Sequence, residues 1–201
     1  MLLKITQAGD PVLRQRARLL VTDEIRTQGT QRLLELMRAT MEDASGVGLA
    51  APQVGESLRL IVIGDERKAD ELQDNTRAEL EWEAVPFRVL INPVVTVVDP
   101  TSVRLFESCL SIQGYTAIVP RPRAIRVTAL NERAEEVEFS TSRWTARIIQ
   151  HEVDHLDGVL YSDRMEARSF MTAGARGQHW RGTSIADICE ALGIPSLTSQ
   201  P

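Results

Sequence analysis

Apolar residues recur at helical spacing over residues 30–44, where Leu33, Leu34, Met37 and Met41 share one face. This predicts a first long helix. Ser45-Gly46 predicts its end, because glycine readily takes the left-handed conformation found past a helix. Arg59-Leu60-Ile61-Val62-Ile63 is an apolar run that reads as a buried strand. Over 64–86 the chain turns acidic and basic, which predicts a solvated insertion with one short helix near 77–83. Strands are predicted at 89–91, 94–98, 104–106, 117–119, 125–130 and 135–139. Ile125, Val127 and Ala129 alternate with Arg126 and Thr128, the mark of a half-buried strand, and Asn131-Glu132-Arg133-Ala134 reads as a hairpin turn. A second long helix is expected over 142–156, capped by Thr141 or Ser142 and stopped before Gly158. The tail carries one more short helix at 184–192, opened by Ser184 and Asp187 and closed by Gly193. This order predicts an α+β fold with antiparallel sheets packed around the second long helix. The expected organisation is one domain over 1–165 and a tail over 166–201.

The chain has 201 residues, of which 43% are hydrophobic and 25% charged, so it can bury a core without disulfides. A net charge of −5 gives no hint of nucleic-acid binding. Two cysteines, Cys109 and Cys189, make no disulfide framework, and Cys189 reads as a small buried hydrophobe. The opening Met1-Leu2-Leu3-Lys4-Ile5 lacks the apolar core of a signal peptide, and no apolar run approaches the ~18 residues that span a membrane. The cytoplasm is the simplest expected compartment; a mature organellar form would look the same.

The strongest chemical signal is His151-Glu152-Val153-Asp154-His155. Histidines four apart on a helix share one face, separated by about one turn, roughly 6 Å. They can converge on a metal ion, and Glu152 beside them can take a proton from water. A catalytic metal takes a third protein ligand. His179 lies far off in a Gly- and Arg-rich tail and reads as a surface residue. A better candidate is Cys109, in Glu107-Ser108-Cys109-Leu110-Ser111, since thiolate is a strong ligand for zinc or ferrous iron. A third segment, Gly46-Val47-Gly48-Leu49-Ala50-Ala51-Pro52-Gln53, leaves its backbone accessible to a ligand chain and offers the Gln53 amide.

These three segments resemble, in order and spacing, the signature motifs of the peptide deformylases. Asp10-Pro11-Val12-Leu13-Arg14 is similar to the opening of that family. The long insertion, Trp144 and Arg168-Ser169-Phe170 look more like its mitochondrial, plant and some bacterial members than its shortest bacterial form. The resemblance implies a hydrolase that removes the formyl group from the initiator methionine of nascent peptides and releases formate. It implies one divalent metal ion per chain on Cys109, His151 and His155, typically Fe²⁺, with Zn²⁺, Ni²⁺ or Co²⁺ as substitutes. Glu152 would act as general base and then acid, with Gln53 and the Leu110 N–H stabilising the oxyanion. The peptide would run extended along Val47-Gly48 and near Ser108, with Val47, Leu105, Trp144 and Ile148 lining the methionine pocket. Expected partners are N-formylmethionyl nascent peptides and, transiently, the ribosome, with no DNA and no membrane.

Three positions depart from the family pattern. Ser108 stands where glycine is usual, Thr116 where an arginine often faces the later residues of the substrate, and Arg143 where glycine commonly precedes the metal helix. Two alternatives stay open on sequence. One is a zinc peptidase of another family, which would cleave internal peptide bonds. The other is a non-catalytic deformylase-like protein binding formyl peptides or ribosomes, supported only by Ser108 and Thr116.

Overall fold

A computed structural model describes residues 2–67 and 74–196. In chain order the elements are α1 (Thr22–Ile25), α2 (Gln28–Asp43), β1 (Gly48–Ala50), β2 (Leu60–Asp65), α3 (Asp74–Leu80), β3 (Val85–Cys109), β4 (Ile112–Leu130), β5 (Glu136–Ser142), α4 (Arg143–Leu156), β6 (Met171–Thr172), α5 (Ala173–His179) and α6 (Ile185–Ala191). The strands pair antiparallel in the order β1-β2-β3-β4-β5, and β6 adds to the start of β4. The fold is α+β. Helix α4 buries Ala146, Ile148, Ile149 and Leu156 against Ile61, Ile63, Ile125 and Val127 of the sheet. Helix α2 covers a second cluster with Leu34, Met37 and Met41 against Leu60, Val62 and Ile91.

Both long helices lie where the periodicity predicts them. The end of α2 differs in detail: Ser45, not Gly46, takes the left-handed conformation (φ 53°). Gly46 serves close approach instead, since a Cβ there would stand 2.9 Å from Leu110 Cδ1. Ser142 holds the N-cap position of α4, but its hydroxyl makes no capping bond. Arg143 follows with φ 58°, which explains why glycine suits that position. A side chain there costs about 1 kcal/mol, and Arg143 pairs with Glu81 at 2.9 Å.

The three segments predicted at 89–91, 94–98 and 104–106 are one strand, β3, and those at 117–119 and 125–130 are one strand, β4. Register shifts fall between Ile91 and Val94 and between Asp99 and Ser102, around Pro93 and Pro100. A proline cannot donate to a sheet ladder, so it interrupts the apolar pattern, yet a bulge lets the strand continue past it. The insertion is not simply solvated. Gly64 and Asp65 belong to β2, Val85 and Pro86 begin β3, and α3 packs beside the cleft described below. Residues 68–73 of it lie outside the described residues. Among the described residues the tail holds two helices, not one: α5 precedes the expected α6. Two glycines in Ala173-Gly174-Ala175-Arg176-Gly177 hide α5 from a propensity argument. In α6, Ser184 accepts the Asp187 N–H as expected. Cys189 is buried with Phe106, Ile118, Ile188 and Ile194, which fastens the tail to the sheet.

Candidate metal centre

Helix α4 carries His151 and His155 one turn apart, facing Cys109 at the end of β3. One ligand atom from each of Cys109, His151 and His155 lies within 4.8 Å of the others. Cys109 Sγ is 3.2 Å from His155 Nε2. The sulfur also accepts the Ser111 N–H at 3.4 Å and the Gln53 side-chain N–H at 3.5 Å. Burial, and then the positive field of His151, hold His155 well below its ordinary pKa, so it is a neutral imidazole suited to ligation. A thiolate and two imidazoles at this separation fit a divalent ion of the zinc or ferrous class. His179, exposed on α5, takes no part.

Glu107 holds His151 from behind, with its Oε2 2.9 Å from Nδ1, which leaves Nε2 for the cluster. Glu107 itself is buried. Arg121 pairs with both of its oxygens at 2.6 and 2.8 Å, and Arg147 reaches Oε1 at 2.6 Å. Burial alone would raise this carboxyl, but Arg121 and His151 outweigh it and keep it well below the usual range. Arg121 continues to Asp154 at 2.8 Å, and Arg164 closes the chain on Asp154. Such a buried charged network is stable only when every partner is present. Sequence reasoning gave Glu107, Arg121, Arg147 and Asp154 no role. Glu107 and Asp154 lie inside motifs and could have been suspected; the two arginines are adjacent to nothing that marks them.

Glu152 is 4% exposed, and burial pushes its carboxyl up to about 7. Its Oε2 is buried without a hydrogen-bond partner among the described residues. Gly48 of β1 lies directly against it. Gln53 is locked by its Oε1, which accepts the Ala50 N–H at 2.9 Å, so its amide nitrogen faces Cys109 and Ser111. The N-terminal arm ties these loops together: Thr6 N–H donates to the Gln53 carbonyl and Ala8 N–H to the Ser111 carbonyl, each at 2.8 Å.

A cleft of about 660 Å³ opens over the centre. Val47, Gly48, Gln53, Ser108, Leu110, Trp144 and Ile148 line it. Leu105 lines a small adjoining hollow that shares Glu79, Leu80 and Arg147 with the cleft, and Phe106 lines the cleft itself. Thr116 does not line the cleft. Its buried hydroxyl donates to the Glu107 carbonyl at 2.8 Å, and the cleft is lined by Tyr115.

Fold and site together fit a metal-dependent hydrolase whose helix bearing His151 and His155 is packed within antiparallel sheet. The family model described as polypeptide deformylase matches residues 2–170, and the chain belongs to the peptide deformylase family, hydrolases that remove the formyl group from N-terminal methionine. It is 42% identical over 192 residues to peptide deformylase 3 of Streptomyces avermitilis, covering 96% of this chain and 84% of that one. It is 37% identical over 167 residues to the mitochondrial peptide deformylase of Homo sapiens, covering 83% of this chain and 69% of that one. It is also similar to a solved class I type b peptide deformylase from Acinetobacter baumannii bound to Met-Ala-Ser. The TM-score is 0.73 and the identity 29%, over 82% of this chain and 99% of that one. Among the described residues no helix is long and apolar enough to cross a membrane.

Proposed function

We propose that Cys109, His151 and His155 hold one divalent ion, ferrous iron as the working metal, and that Glu152, Gln53 and Leu110 carry the deformylation chemistry. The observation that supports this best is the meeting of three distant segments at one point, with the Gln53 amide, the Glu152 carboxylate and three ligand atoms converging on one cleft. When bound, the ion supplies Lewis acidity that makes water nucleophilic near neutral pH. Glu152, with its raised pKa, accepts the water's proton and returns it to the departing amine of methionine. The Gln53 amide and the Leu110 N–H are the donors for the oxyanion that develops on the formyl carbon; losing one such donor typically costs about 10²–10³ in rate.

On this reading the peptide runs along β1, which among the described residues pairs only with β2 and has its other edge toward the cleft. The Met-Ala-Ser found in the Acinetobacter relative suits such a groove. Val47, Leu105, Trp144 and Ile148 are the proposed walls for the methionine side chain, with Phe106 beside them. Contact with the ribosome, where such substrates emerge, is expected to be transient, since α6 carries Asp187 and Glu190 rather than a basic arm.

Formate release from formyl-Met-Ala-Ser by metal-replete protein prepared without oxygen tests this reading. With iron, activity is expected to decay in air through oxidation of Fe²⁺ and the Cys109 thiolate. With zinc it should be slower but stable. Equal rates and equal air lifetimes for the two forms would refute iron as the working metal.

Ser108 is exposed at the cleft edge. There it can turn its hydroxymethyl group away from a bound backbone, so Ser108→Gly is expected to change kcat/KM by less than about threefold. A gain of about tenfold or more would instead mark Ser108 as a weakening substitution.

A further inference from the structure

Three parts of the cleft wall meet at one carboxylate that the deformylation chemistry does not use. Trp144, at the first turn of α4, lines the cleft; so does Arg67, just past β2; and α3 contributes Glu79 and Leu80. Asp65, the last residue of β2, joins them, and its side chain is 0% exposed. Its Oδ2 accepts the Trp144 and Trp82 indole N–H groups, each at 2.8 Å. Arg67 grips both oxygens at 2.7 Å. Trp82 lies two residues past α3, so the same oxygen that holds the α4 indole also holds the end of the insertion helix.

A fully enclosed carboxylate is costly unless donors fill its lone pairs, and here four hydrogen bonds do so. An indole on a pocket wall can turn about its side-chain torsions; bonding its N–H to a fixed acceptor selects one setting. Ion pairs of Glu81 with Arg123 at 2.6 Å and with Arg143 at 2.9 Å dock the same insertion on the first turn of α4 and on β4.

We propose that Asp65 is a positioning residue for substrate selection: by fixing the Trp144 ring it sets the width of the pocket for the first side chain of the peptide, and by holding Trp82 it keeps α3 against that pocket. This rests on the reading, given above, that Trp144 lines the methionine pocket. The competing role is a plain tie that anchors the insertion and affects stability alone.

Two single variants and their double variant separate these roles, assayed with formyl-Met-Ala-Ser and formyl-Leu-Ala-Ser. Asp65→Asn is near-isosteric, but its NH₂ must face a donor, so at least one bond is lost. Trp144→Phe keeps a ring and deletes only the N–H and the second ring. Each single variant is expected to lower kcat/KM for the methionyl peptide about tenfold, chiefly through KM, and to narrow the Met-over-Leu preference at least about threefold. The double variant is expected to lose less than the product of the two single losses, because both act in part through the shared Trp144 contact. Multiplying losses, or a lowered Tm with KM and preference unchanged, would overturn the proposal. If Asp65→Asn does not fold, Trp144→Phe alone must narrow the preference, and a wild-type preference there overturns the idea equally.

If the wild-type protein releases no formate with either iron or zinc, the deformylase reading has failed rather than this one. Fluorescence then decides it. In a chain carrying Trp82→Phe and Trp180→Phe, Trp144 is the remaining tryptophan. Asp65→Asn should shift its emission and lower its anisotropy, and an unchanged spectrum and anisotropy would show that Asp65 does not fix the ring.

Discussion

Glu152→Gln is expected to retain the metal and lose nearly all turnover. Glu152 is not among the three clustered ligand residues, so removing its charge leaves the donor set intact. The substitution nearly preserves shape while deleting the proton acceptor, and general acid–base catalysis by one positioned group is worth about 10²–10⁴ in rate. The environment sharpens the effect. Glu152 is 4% exposed, so bulk water has poor access to replace it as a base. A neutral amide also suits that buried position better than a carboxylate, so the variant should be at least as stable as the parent. Metal content by elemental analysis, thermal unfolding and formate release from the same preparation form the check. Loss of the metal, or retention of more than about a tenth of the rate, would remove Glu152 from its assigned role.

Gly48→Ala is expected to be nearly as damaging, although position 48 carries no side chain and the change adds one methyl group. A Cβ there would lie 2.3 Å from Glu152 Oε1, 2.7 Å from Cδ and 2.8 Å from Cγ. Those separations are impossible, so something must yield. Gly48 is held in strand β1 by its pairing with Ile63, and the Glu152 backbone is held in α4; the Glu152 side chain is the part that can turn. Stability should therefore change little while the carboxylate leaves its place, and a displacement of ~1 Å in a reacting group can cost about 10²-fold. The alanine also narrows the edge on which the peptide is proposed to lie, so KM should rise as well. Activity within about threefold of the parent would mean that Glu152 need not occupy the position seen here. A fall in Tm of many degrees would instead place the strain in the backbone.

The resemblance of three short segments to one family was enough to bring Cys109, His151, His155, Glu152 and Gln53 together before any fold was known. Helical spacing carried part of this by itself, since residues four apart on α4 must share a face. The third ligand was a weaker inference from the residues alone: Cys109 is 42 positions before His151 in the chain. Only the antiparallel return of β3 on β4, with α4 laid across the sheet, makes them neighbours. Thr116 shows the limit of a local reading, because its environment, a bond to the Glu107 carbonyl, is invisible there.

What is periodic or local could be read from the residues alone. The two long helices, the hairpin after Leu130, the polar insertion and the facing histidine pair on α4 all follow from spacing and from residue chemistry over a few turns of chain. What depends on distant charges and on packing emerged only in the folded chain. Folding joined five predicted segments into two bulged strands, since hydrogen bonding across a ladder outlasts an interruption by proline. It also buried Glu107, Arg121, Arg147 and Asp154 as one network behind His151, and Asp65 beneath two indoles. In the sequence these five are ordinary charged residues that composition assigns to the surface. They are buried because each finds its partner from another part of the chain, and a charge leaves water only when a partner is already waiting.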